Sequence, residues 1–281
     1  MKKILSLPML RLGFVILSSL AAILQVIAFL TVLEPNSNYF GGGAWLPALA
    51  VLFSLLGAAC GTLAAYRTNR AELAKEPFSA TRLPSLLTAL GFLALTLLFA
   101  VKTAKQPSNL TYLITLAALV SALYAALSAF STVARRSRTT LALLGFAPVL
   151  TCILLNAYYY FDVTVEMNAP VKTTLQLGLL CAAVYFTGEI RFHLKRALPR
   201  LFLTLVAWTV AFGALSALAI PVAYLSGHIH RADYAVGALL TLALAVGAVL
   251  RAHALLHPHP LDDQTDTDTP LQEETTGEDS L

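Results

Sequence analysis

Apolar positions in this chain fall into long runs, and polar positions fall into short clusters between them. Eight runs stand out: 12–33, 47–66, 84–101, 110–133, 141–160, 170–188, 201–224 and 234–255. Each is close to the roughly twenty residues a helix needs to cross the hydrocarbon of a bilayer. An isolated strand or loop would leave its backbone groups unpaired there, so the pattern predicts helices. The fold class expected is an all-α polytopic transmembrane helix bundle, about eight spans in four hairpins, over residues 1–257. The opening stretch MKKILSLPMLRLGFVILSSLAAILQVIAFL has a basic head, and its apolar run continues to Leu33 without a convincing small-residue cleavage site. It is read as a first span, not a removed signal.

Composition strengthens the membrane reading. Hydrophobic residues make up 58% of the chain and charged residues 12%, against about a quarter charged in an ordinary soluble domain. Of the nineteen Lys and Arg residues, fifteen fall in segments that share a side if the N-terminus is cytoplasmic. Only Lys102, Lys105, Lys172 and Arg231 fall on the other side. That bias predicts an N-in, C-in topology. The aromatic residues Trp45, Tyr158–Phe161, Tyr224 and Tyr234 lie where an interfacial belt would place them.

Charge also divides the chain lengthwise. From Leu261 onward there are eight acids and no Lys or Arg. Residues 258–281 are expected to be a disordered acidic cytoplasmic tail, a candidate site for a protein partner. The inner loops are basic enough to attract anionic lipids of a bilayer. No basic–aromatic surface suggests nucleic acid.

Chemistry is sparse. Gln25 is the strongly polar residue nearest mid-membrane, and Asn156 and Gln176 lie one to two turns from the outer surface of spans five and six. These three amides are candidate intramembrane contacts, and a hydrogen bond between Asn156 and Gln176 across the hairpin is expected. Asp162, Glu166 and Lys172 form a candidate outer-interface cluster around Pro170, a residue suited to the first turn of a helix. Glu189, Arg191 and Arg251 sit close enough to span ends for snorkelling to account for them. The His-x-His of His228 and His230 and the pair His253 and His257 lack a third ligand, so no metal is expected. Cys60, Cys152 and Cys181 lie inside apolar runs without metal spacing and read as buried hydrophobes. No nucleophile elbow, zinc-protease helix or phosphate-cradling loop occurs, and no cofactor or catalytic residue is expected.

Helix contacts in lipid favour small residues four apart. Gly57 and Gly61 in span two fit that rule, as do Ser121, Ala125 and Ala129 in span four and Gly237, Thr241 and Ala245 in span eight. Around NAPVKTTLQLGLL and GEIRFHL the chain resembles multi-pass integral membrane proteins of bacteria, a general likeness that implies no activity. Two functional readings follow. The first is a non-enzymatic protein of the cytoplasmic membrane with a structural or partner-binding role. The second is a permease for a neutral or lipidic molecule, built around the three amides.

Overall fold

The computed structural model describes residues 6–34, 40–41, 45–69, 73, 82–130, 138–166 and 168–257. Their regular elements are helices, apart from an isolated bridge between Leu33 and Phe40. Eight spans are long and apolar enough to cross a membrane. They comprise α1 (Leu7–Thr31), α2 (Trp45–Arg67), α3 (Arg82–Lys105), α4 (Asn109–Ser128), α5 (Arg138–Leu144) with α6 (Phe146–Phe161), α7 (Pro170–His193), α8 (Pro199–Ala217) with α9 (Ala219–Leu225), and α10 (Ala232–Leu256). The expected acidic tail and most of the loop between α2 and α3 lie outside the described residues.

Local sequence explains most helix ends. Ser6 caps α1, its hydroxyl accepting from the Met9 amide, so the helix starts five residues earlier than its apolar run. Ser108 and Thr111 form a reciprocal capping box that separates α4 from α3 across a short turn. Pro170 opens α7 where its missing N–H costs nothing. Spans five and seven are each interrupted. Pro148 cannot donate to the Leu144 carbonyl, nor Pro221 to that of Ala217, and the breaks fall at those two residues.

Three spans occupy the middle. Buried residues form 61% of the α7 span, 61% of the α8–α9 span and 56% of the α10 span, against 33–39% in the other five. The α1–α2 hairpin packs on α8, α3 on α10, α4 on α6, and α6 on α7. Two apolar clusters result: a small one among α1, α2 and α8, and a large one that draws on all eight spans.

Small residues set how closely these helices approach. At Gly178 of α7, an added Cβ would lie 3.4 Å from the Gly213 Cα of α8, so the two backbones nearly touch. The Ser216 and Thr241 hydroxyls then bond between α8 and α10 at 3.1 Å. Gly61 serves α2 in the same way, since a Cβ there would strike Phe14 and Ala207. Hydroxyl pairs such as Ser121 with Thr151, 2.9 Å apart, join neighbouring helices elsewhere. Each such bond contributes about 0.6 kcal/mol in a membrane.

Candidate functional site: charged clasps at both ends of the bundle

Charged residues gather at the two ends of α3, α7 and α10. The outer end, so named from the Lys and Arg distribution, is centred on Asp233 in the first turn of α10. Its carboxylate accepts from Lys102 of α3 at 2.7 Å, from the Tyr158 hydroxyl of α6 at 2.9 Å, and from Arg231 through two nitrogens at 2.7 and 3.0 Å. Lys102 also bonds the Tyr158 hydroxyl. Arg231 reaches on to Asp162 at 3.0 Å, and the Tyr234 hydroxyl donates to the same carboxylate. Tyr159 donates to the Asp233 backbone carbonyl at 2.9 Å. Its hydroxyl sits where a Cβ at position 237 would be, so Gly237 is what admits it. Two carboxylates and two cations thus hold α3, α6 and α10 together through mutual charge-assisted bonds.

Lys172 closes this end from α7. It is 1% exposed, and its ammonium donates to the Asp162 carbonyl at 2.8 Å and the Val165 carbonyl at 3.2 Å. Of the candidate outer cluster, Asp162 and Lys172 therefore meet, through a backbone oxygen, whereas Glu166 is exposed on the turn. Charges that complete the cluster come from elements far away in sequence: Lys102 from the last turn of α3, Arg231 from just before α10 and Asp233 from its first turn. The Lys102–Asp233 bond spans 131 positions.

Electrostatics at the outer end follow from these contacts. Burial raises the Asp162 carboxyl pKa, but the Thr164 hydroxyl and amide and the Arg231 charge outweigh it and hold the pKa below its ordinary value. Hydrogen bonds to Asp233 come first in pushing the Arg231 pKa up, so the guanidinium stays charged. Because the folded pKa of Asp162 is depressed, its stabilisation is full above the unfolded value of about 3.9 and is lost as pH falls through the folded value. The thermal midpoint in detergent should therefore fall in acid below that point. Asp162→Asn should remove part of this dependence; an unchanged acid profile in the variant would contradict the assignment.

The inner end holds a second cluster, and here the structure departs from the sequence reading. Glu189 and Arg251 do not snorkel. They are 0% and 1% exposed, and they pair directly between α7 and α10. The guanidinium also bonds the Ser85 hydroxyl of α3 at 3.1 Å and the Tyr185 hydroxyl of α7 at 3.3 Å. The Tyr124 hydroxyl of α4 donates to Glu189 at 3.1 Å and lies 3.1 Å from His193 Nε2. Tyr124 has one proton, so while it donates to Glu189, His193 must be the donor to Tyr124. Arg191, between them in sequence, faces away and is exposed. Glu189 lies four residues from the end of α7, about 6 Å of helix rise.

The amides do not form a common site. The side-chain nitrogen of Asn156 donates to the Cys152 carbonyl of its own helix at 3.0 Å, while Gln176 donates to the Asn156 backbone carbonyl at 3.3 Å. The hairpin bond exists between side chain and main chain. Gln25 is buried on α1, which packs against α2, α8 and α9, and its Oε1 has no hydrogen-bond partner among the described residues. Four crevices of 110–540 Å³ open on the bundle, and none of these four is lined by an amide. Among the described residues, no group of three metal-ligating side chains converges. His253 and His257 stack on each other, exposed at the inner end of α10.

Compared with protein-family models, with curated proteins and with solved structures, the chain matches none. The fold and its clasps define a multi-pass integral membrane protein of eight apolar helices.

Proposed function

We propose that this chain is a structural, partner-binding protein of a bacterial cytoplasmic membrane, without enzymatic activity. One observation carries the reading: α3, α7 and α10 are tied at both ends at once. α3 contributes Ser85 inside and Lys102 outside, α7 contributes Glu189 and Lys172, and α10 contributes Arg251 and Asp233. Between the clasps the same helices bury Phe92, Leu95, Leu179 and Leu244. A carrier by alternating access opens one end while the other closes. Closing both ends with paired charges favours a fixed body that presents loops and an acidic tail to a partner.

Flux and partner contact test this together. Photo-crosslinking in native membranes should give a discrete adduct that is lost when residues 258–281 are removed, and proteoliposomes should show no saturable uptake of neutral solutes. Saturable uptake abolished by changes at Gln25 or Gln176 would replace this reading with the permease.

A further inference from the structure

A crevice of about 110 Å³ opens at the inner end, where α1, α2, α8 and α10 meet. It exists because the α1–α2 hairpin packs on α8 and leaves a seam beside α10. Its lining is graded. Arg11 and Thr68 stand at the cytoplasmic rim, and Phe14, Gly61 and Ala207 lie one to two turns deeper, with Ala252 on the α10 side. Arg200 of α8 brings a second guanidinium to the rim, donating to the Thr68 carbonyl at 2.9 and 3.1 Å. Arg11 itself is exposed in the second turn of α1. The first turn of α8 beside this rim has no side-chain cap, so its amides add partial positive charge.

The geometry points to a seat for one anionic phospholipid of the inner leaflet, its phosphate held by Arg11 at the rim and the upper methylenes of one acyl chain laid into the seam. A cationic mouth above a wholly apolar floor matches an amphiphile with a negative head. The depth agrees, because Arg11 lies four residues into α1, about 6 Å from its start, at headgroup level. Gly61 keeps the floor apolar and tight, since any Cβ there would collide with Ala207. The acidic tail fits less well, having few apolar residues to fill the seam. The seat is independent of whether the bundle moves a solute.

Native mass spectrometry of the full chain, titrated with phosphatidylglycerol or phosphatidylcholine, tests it. The wild type should retain one phosphatidylglycerol in preference to phosphatidylcholine. Arg11→Ala should weaken that retention roughly tenfold. Ala252→Phe, which narrows the seam from a partly exposed position, should weaken it too, while Lys105→Ala at the outer end should not. Thermal midpoints near that of the wild type certify that the variants are folded. Equal retention of the two lipids, or a folded Arg11→Ala that binds like the wild type, would overturn the proposal.

Discussion

Arg251→Met should destabilise the bundle by about 3–5 kcal/mol, because it leaves Glu189 buried with its countercharge removed. Glu189 is fully buried, and in that variant only the Tyr124 hydroxyl would still donate to it. The double variant Glu189→Leu with Arg251→Met should regain most of the loss, because replacing both members with well-packed apolar side chains is often neutral. Thermal or denaturant unfolding in detergent reads both outcomes. A single variant as stable as the wild type would mean the pair is solvated, and a double variant worse than either single would mean the cluster holds α3 and α4 chiefly through its hydroxyls.

The second large effect belongs to Asp233→Ala, expected to cost about 1.5–3 kcal/mol from lost hydrogen bonds to charged groups. Asp233 is the one group bonded to Lys102, Tyr158 and Arg231 alike. The loss should be smaller than at Arg251, since the Lys102 and Arg231 side chains are 27% and 32% exposed and can turn to water or headgroups. Glu166→Ala, on the exposed turn nearby, should stay within about 0.5 kcal/mol of the wild type. The same unfolding measurement checks the pair, and equal losses at positions 166 and 233 would remove the outer clasp as an energetic unit.

These two clusters mark where the sequence stops being legible. Spans are local facts: twenty apolar residues in a row suffice, so each of the eight runs reappears as a helix within a few residues at most ends. Interruptions were written there too, at Pro148 and Pro221, although hydropathy alone runs straight through both. Pairings are not local. Lys102 reads as a topological charge until α10 is laid beside α3, and Asp233 reads as part of a histidine-bearing loop. For the inner pair a signal was present in the helical period. Tyr185, Glu189 and His193 recur every four residues and so share one face of α7, while Arg191 and Lys195 fall elsewhere and are exposed. Arg251 likewise continues the stripe of Thr241, Leu244 and Ala248, all buried. A charge in step with the apolar face is turned inward, whatever its distance from the helix end. The amides show the opposite case: sequence puts Asn156 and Gln176 at similar depth in one hairpin, yet only coordinates distinguish a side-chain partner from a main-chain one.

Both ends of the bundle are closed together, and interspin distances measure that directly. Spin labels at Lys105 and Val163 report the outer end, and labels at Leu83 and Leu194 report the inner end, all exposed positions outside the clasps. They would be introduced with Cys60, Cys152 and Cys181 replaced by alanine. Double electron–electron resonance in lipid nanodiscs should give one narrow distance at each end, the same at neutral and mildly acidic pH. Two populations at each end, the outer long when the inner is short, would instead show a body that opens alternately and is not held at both ends.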